Sequence, residues 1–291
     1  LFSALTRMNV PSKMVNVILS LYAQPTYKVE MEGQESGWYE QETGIRQGCP
    51  LSPCLFNIVM TVMFLGIHKN DPHNLIRHRV AGTMYDEVLY ADDTICVSTD
   101  TKAMNKLLKD IESEGDKYGL QLNKKKCELV QTGSPANVTF ADSMAVPRLD
   151  EVKYLGCHLN RFNDVTRELK KRTSICMATQ CKLDLFWRHS DCPVKFKLLA
   201  HDAVIRSKLL YGLESAQVNQ ADINRLDVFQ LKGLRKIFKL KTTYVDRNNT
   251  NASLFERANQ ALLEGGSDKT ISTFSDMYTH RKLLLYQDLL A

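Results

Sequence analysis

The stretch Met84-Tyr85-Asp86-Glu87-Val88-Leu89-Tyr90-Ala91-Asp92-Asp93-Thr94-Ile95-Cys96-Val97-Ser98 decides how the rest of the chain is read. Two apolar runs, 88–91 and 95–97, flank two adjacent acids, the pattern of strand, tight turn, strand. Adjacent carboxylates repel, so Asp92 and Asp93 on a turn cost free energy unless cations neutralise them. Hard divalent cations take oxygen ligands, and a Mg²⁺ site is commonly one or two carboxylates completed by substrate phosphates. Taken alone, the pair reads as an ordinary acidic turn, and the surrounding sequence has to decide.

Upstream lies Gly44-Ile45-Arg46-Gln47-Gly48-Cys49-Pro50-Leu51-Ser52-Pro53-Cys54-Leu55-Phe56-Asn57-Ile58. Glycines at 44 and 48 permit backbone geometries closed to other residues, and prolines at 50 and 53 stiffen the chain. Ser52 is placed to cap a helix with Pro53 in its first turn, and Leu55, Ile58, Val59, Val62, Met63 and Gly66 give that helix a face. A glycine-rich lead into a helix N-terminus presents backbone N–H groups to phosphate or to a base pair, or it is simply a structural junction. Downstream come Gly119-Leu120-Gln121-Leu122-Asn123-Lys124-Lys125-Lys126-Cys127 and Glu151-Val152-Lys153-Tyr154-Leu155-Gly156.

In this order and spacing, the four segments resemble the reverse transcriptase domain of non-LTR (LINE-type) retrotransposons, over most of residues 1 to 245. The resemblance implies an α+β right-hand polymerase: partial fingers and palm with an antiparallel sheet over 1–160, a helical thumb over 161–245 and a C-terminal helical extension over 246–291. It implies template-directed deoxynucleotidyl transfer with Mg²⁺ or Mn²⁺ held by Asp92 and Asp93, two metals activating the primer hydroxyl and stabilising the departing phosphates. Lys126 would neutralise or protonate the pyrophosphate; without the resemblance, 124–126 is a plain basic surface run. Gln47 would sit near the nascent pair, Arg46 would contact template or fingers, and Gly48 and Pro50 would shape the loop. Tyr154, Leu155 and Gly156 would mark the grip on the primer. The implied partners are an RNA template, a DNA primer or target DNA and dNTPs, in the nucleus or cytoplasm.

The family also needs an aspartate on an earlier palm strand. No Asp precedes Asp71, which falls in the wrong order. The expectation is therefore a C-terminal part lacking the upstream polymerase region and inactive by itself. Three alternatives stay open: a nucleic-acid-binding remnant, a group II intron maturase, and a helical structural domain with coincidental motifs.

The 291 residues, 44% of them hydrophobic, suffice for one large domain or two closely joined ones. A net charge of +5 is a mild basic excess, compatible with a phosphate-rich partner. Cysteines at 49, 54, 96, 127, 157, 176, 181 and 192 form no CxxC pair and read mostly as buried free thiols, and Cys181, His189 and Cys192 lack zinc-ligand spacing. No apolar stretch reads as long enough to cross a membrane. Helices are expected over 1–9, from Pro11 with a stripe of Met14, Val15, Ile18, Leu19 and Tyr22, and over 101–118 with Met104, Leu107, Leu108, Ile111 and Tyr118 inward. Hairpin arms are expected over 27–31 and 38–42, a small hairpin around Asp142-Ser143, a solvated loop over 68–78 and a strand over 152–159. Three long amphipathic helices follow. Lys170, Lys171, Arg172, Lys182, Arg188, Lys195, Lys197, Lys232, Arg235, Lys236, Lys239 and Lys241 give them a basic side suited to a nucleic-acid backbone.

Overall fold

The computed structural model describes residues 1–41, 44–70, 86–133 and 135–290. The chain is mixed α and β, with small antiparallel two-stranded sheets and many helices. It divides into two compact units, Leu1–Leu149 and Asp150–Ala291. The charge is divided unevenly: 15 Lys and Arg against 17 Asp and Glu in the first, 23 against 16 in the second.

In the first unit, α1 (Phe2–Arg7) and α2 (Ser12–Tyr22) precede a long hairpin. Strands β1 (Thr26–Tyr27) and β4 (Tyr39–Glu40) pair at its base, and β2 (Glu30–Met31) and β3 (Gln34–Glu35) at its tip. Glu32 and Gly33 close it with left-handed backbone, φ 53° and 80°. Next comes α3 (Ser52–Asn70), which buries a broad face, Leu55, Val59, Met60, Val62, Met63, Phe64 and Ile67, and leaves Cys54, Asn57, Thr61 and Leu65 exposed. It meets Leu5 and Ile18 on one flank and Leu107 of α4 (Thr101–Asp116) on another. α4 begins where the Asp100 carboxylate accepts from the Ala103 N–H at 2.8 Å, a cap worth about 1 kcal/mol. Between α3 and α4 stand β5 (Glu87–Tyr90) and β6 (Asp93–Cys96).

Four expectations need correction here. Only Ile18 of the α2 stripe is buried; Met14 and Leu19 are exposed, because α2 touches the core along one narrow edge. The loop expected from His68 starts later, since α3 runs through Asn70, and the rest of that segment, Asp71 included, lies outside the described residues. α3 is long and apolar enough to cross a membrane by length and composition, contrary to the sequence expectation, but half of it is buried inside the unit, which accounts for its apolarity. Of the eight free cysteines only Cys176 is fully buried; Cys54 and Cys181 are exposed and the other five are half-buried.

The second unit opens with a hairpin in the stretch read as a strand over 152–159: β7 (Glu151–Tyr154) and β8 (Cys157–Asn160) turn at Leu155-Gly156. Helices follow: α5 (Val165–Lys182), the short α6 (Asp184–His189), α7 (Val194–His201), a π-helical turn (Asp202–Arg206), α8 (Ser207–Leu210), α9 (Gln220–Phe238), α10 (Asn251–Glu264) and α11 (Phe274–Leu290). Side-chain caps start three of them, from Asp164, Asn219 and Thr250. Two cores form. Leu169, Cys176, Ile205, Leu209, Phe229 and Phe274 build one; Trp187, Leu198, Leu234, Leu254 and Leu262 build the other. The last two helices thus complete cores begun by the earlier ones.

Buried polar groups sit among these helices, and two of them, Arg172 and His201, tie elements together. Arg172 is only 8% exposed. Its Nε donates to Glu168 at 2.5 Å, one terminal nitrogen donates to the Tyr211 carbonyl and the other reaches Cys157 Sγ at 3.3 Å. One guanidinium therefore joins α5, β8 and the turn after α8. His201 is buried against Gln180, 3.2 Å away, and the edge of Trp187. Burial pushes its pKa down to about 4, partly opposed by Asp202. Gly233 makes room for it: a Cβ there would stand 2.3 Å from His201 Nε2.

Arg172→Met is expected to lower stability by about 3–5 kcal/mol in urea denaturation, because Glu168 is left charged and buried without its partner. His201 sets a pH dependence. Below its ordinary value of 6.5 the unfolded chain takes up a proton that the folded chain refuses until about 4, so stability falls as pH drops through that window. The loss amounts to roughly 3 kcal/mol at most. Urea midpoints at pH 7 and pH 4.5 should differ clearly in the wild type and less in His201→Gln.

Candidate functional site

The carboxylate hairpin is built as its sequence suggests, with one refinement. Tyr90 pairs with Asp93, so the two-residue turn is Ala91-Asp92 and Asp93 is the first residue of β6. Both acids are exposed. Ala91 takes a left-handed backbone, φ 53°, a conformation that costs a residue with a Cβ about 1–2 kcal/mol. Such strain persists only where the surroundings impose it. Here they do: the Val97 N–H donates to the Asp86 carbonyl at 2.7 Å, and His68 Nε2 lies 2.6 Å from Glu87 Oε1, tying the hairpin base to the end of α3. Cys96 packs against the α3–α4 core, and burial beside Glu87 pushes its thiol up to about 12. Met84 and Tyr85 lie outside the described residues.

The segment leading into α3 is pinned at some residues and open at others. Ile45 and Leu51 pack against Leu5, Ile18 and Leu55. Ser52 is buried, and its hydroxyl donates to the Arg46 carbonyl at 2.7 Å; it does not cap the helix as expected from sequence. Arg46 turns toward α2, donating to the Leu21 carbonyl at 2.6 Å with its guanidinium 5.6 Å from the centre of the Tyr22 ring. Gln47, Gly48 and Pro50 are exposed. Gly48 has φ 82° and open space where a Cβ would be, so backbone conformation, not crowding, requires glycine there. A hydrogen bond from the Leu51 backbone holds the Cys49 thiol below its ordinary value.

The basic residues sort into two groups. Lys124 is held by Asp142 at 2.7 Å and Glu112 at 3.3 Å, over the Phe140 ring. Lys126, in the same short 3₁₀ turn, is exposed and pairs with nothing among the described residues. The basic side of the second unit is thinner than its sequence suggests. Arg172 and Lys197 are buried, Lys197 donating to the Trp187 and Ser190 carbonyls, because each satisfies carbonyls that the helices leave open. Lys171 pairs with Glu151, Lys195 with the Gly265 carbonyl, Lys236 with Asp184 and Arg235 with Asn251. Lys170, Lys182, Lys232, Lys239 and Lys241 remain exposed, with no ion pair among the described residues. In the same unit, Leu155 and Gly156 form a turn with φ 46° and 84°, and a Cβ on Gly156 would meet Tyr211 at 3.3 Å.

Sequence reasoning missed Tyr22 as the platform under Arg46, since a tyrosine on an apolar stripe reads as core. It also missed His68 as the hairpin anchor, because three histidines spaced by five suggest a loop.

Among the described residues no group of three or more His, Cys, Asp or Glu side chains could hold a metal ion. Asp92 and Asp93 fit the one or two carboxylates of a hydrated Mg²⁺ shared with substrate phosphates. They do not by themselves fit a two-metal clamp.

These features belong to a known class. The family model described as reverse transcriptase (RNA-dependent DNA polymerase) matches residues 1–159, more than half of the chain, and the chain belongs to that family. Its relatives include Pol proteins of non-LTR retroelements. It is 25% identical over 178 residues to the Retrovirus-related Pol polyprotein from type-1 retrotransposable element R2 of Nasonia vitripennis, covering 57% of this chain and 17% of that protein. It is 25% identical over 203 residues to the polyprotein from type-2 retrotransposable element R2DM of Drosophila melanogaster, covering 63% and 19%. It is 23% identical over 245 residues to the RNA-directed DNA polymerase from mobile element jockey, also of Drosophila melanogaster, covering 78% and 25%. The chain thus spans about a fifth of the length of the two R2 relatives.

Ala91→Gly is expected to leave the hairpin intact and to raise stability by up to about 1 kcal/mol, since relief of the left-handed strain outweighs the added chain entropy. Urea midpoints of the two proteins check this.

Proposed function

We propose that this chain is the nucleic-acid-handling portion of a retroelement reverse transcriptase, and that its own residues bind an RNA–DNA hybrid without completing a polymerisation site. The observation that carries the reading is the acid pair Asp92–Asp93, on a turn of polymerase-family sequence, with no third metal-binding side chain grouped with it among the described residues. In this reading 1–160 is partial fingers and palm, 161–245 a thumb and 246–291 a helical extension. Gln47, Gly48 and Pro50 face the template and nascent pair, Tyr154, Leu155 and Gly156 the primer, and Lys126 the departing pyrophosphate. Bound Mg²⁺ would supply charge neutralisation at the phosphates, with Asp92 as principal ligand and Asp93 sharing the site. The chain's own contribution is to hold two carboxylates on a rigid turn and to offer exposed lysines to the backbone.

A second reading is supported by the retained acid pair, because a strained turn carrying two like charges has no evident structural use. In it the same residues take part in catalysis once a further aspartate-bearing strand joins them.

Fluorescence anisotropy with a recessed RNA–DNA hybrid tests the first reading. Binding should weaken steeply with salt, and Lys170→Gln, Lys182→Gln and Lys232→Gln should each lower the log–log slope by up to about 0.9. Primer extension by this chain with Mg²⁺ should be absent; robust extension overturns the proposed incompleteness. Extension by a longer chain bearing an upstream palm aspartate, abolished by Asp92→Ala, would establish the second reading.

A further inference from the structure

Arg46 stands beside the residue proposed to meet the nascent base pair, and a charged neighbour in that position reads from sequence as a template contact. Its geometry points elsewhere. One terminal nitrogen donates to the Leu21 carbonyl at 2.6 Å, near the end of α2, and the guanidinium lies over the Tyr22 ring at 5.6 Å. The Arg46 carbonyl is engaged as well, accepting from Ser52 Oγ at 2.7 Å and from the Cys49 N–H at 3.3 Å. Tyr22 in turn places its hydroxyl 3.5 Å from Ser52 Oγ. The three side chains Arg46, Tyr22 and Ser52 thus close a ring from α2 across the loop to the first residue of α3. Of the residues between Arg46 and Ser52, Gln47, Gly48 and Pro50 are left exposed.

We infer that Arg46 is a positioning residue, clamping the 44–52 loop onto α2 through Leu21 and Tyr22 so that Gln47 is presented in one conformation to a template–primer pair. The inference rests on the nucleic-acid reading given above. The physics favours it. Gly44 and Gly48, both with positive φ, leave the loop intrinsically free, and a loop with two such hinges needs an external tie to hold one shape. A guanidinium serves better than an ammonium, because its planar fork donates to a carbonyl while its face lies on a ring.

The clamp and a direct phosphate contact differ in what salt does. Removing a phosphate contact lowers the log–log salt slope of hybrid binding by about 0.7–0.9, whereas loosening a clamp weakens binding at every salt concentration and leaves the slope alone. Four variants are compared with wild type: Arg46→Met, Arg46→Lys, Tyr22→Leu and the double variant Arg46→Met/Tyr22→Leu. Arg46 is exposed, so its replacement spares the fold, and urea midpoints verify this. Hydrogen exchange at the Cys49 and Ser52 amides of the free protein reads the clamp; anisotropy with the hybrid reads its consequence. Expected are faster exchange at both amides in Arg46→Met and Tyr22→Leu, with Arg46→Lys in between. Binding should be weaker by about three- to tenfold in both single variants, with no further loss in the double variant and an unchanged slope. A slope reduced by about 0.7–0.9 in Arg46→Met overturns the inference in favour of a direct contact. Unchanged exchange, or fully additive losses, also overturns it. If wild type fails to bind the hybrid while exchange still rises in both variants, the nucleic-acid reading falls and the clamp stands.

Discussion

The first unit depends on one constraint: the helix Ser52–Asn70 buries a broad face made of Leu55, Val59, Met60, Val62, Met63, Phe64 and Ile67, so its ends must be fixed by other parts of the chain. Its N-terminal end is fed by the 44–52 loop, held through Ile45, Arg46 and Leu51. Near its C-terminal end, His68 binds Glu87 at the base of the carboxylate hairpin, and Asn70 donates to the buried Glu114 of α4 at 3.1 Å. The 44–52 loop and the carboxylate hairpin are therefore fastened to the same helix. A close-packed helix transmits position with little give, which is what a site assembled from separate loops requires.

The second unit uses buried cations differently from the way its composition suggests. Arg172 and Lys197 look like members of a basic surface until their surroundings are seen. Each lies inside and satisfies carbonyl groups where elements meet, Arg172 at Tyr211 and Lys197 at Trp187 and Ser190. A buried charge is costly unless it is paired and hydrogen-bonded, so these residues are committed to the fold and are lost to any ligand. What remains for a polyanion is the smaller set of exposed lysines, against a background of net positive charge that the first unit does not share.

The two carboxylates of the hairpin contrast with two acids that the protein's own cations hold, Glu151 and Asp142. Glu151 is surrounded by Lys171, His158 and Arg167, and the bond from Lys171 holds its carboxyl below the usual range. Asp142 is similarly held down by Lys124. Asp92 and Asp93 have no such neighbour among the described residues, although they are adjacent and like-charged. Glu151 and Asp142 are neutralised by the protein's own cations, whereas the two hairpin carboxylates face solvent.

Much of this was legible in the sequence because it is local. The alternation around Asp92-Asp93 determines a hairpin, the Gly-Pro punctuation of 44–53 determines a loop entering a helix, and the 3.6-residue periodicity after residue 160 determines helices. The motifs also determined the family, since their order along the chain survives without any knowledge of packing. What only the tertiary structure decided is which polar side chains are spent. Periodicity places Arg172 and Lys170 on one helix but cannot show that the first meets a carbonyl 39 residues away while the second meets solvent. Arg46 and Tyr22 are likewise far apart in sequence and meet through a contact that no local pattern encodes. Burial and pairing depend on long-range contacts, and those form only when the helices pack.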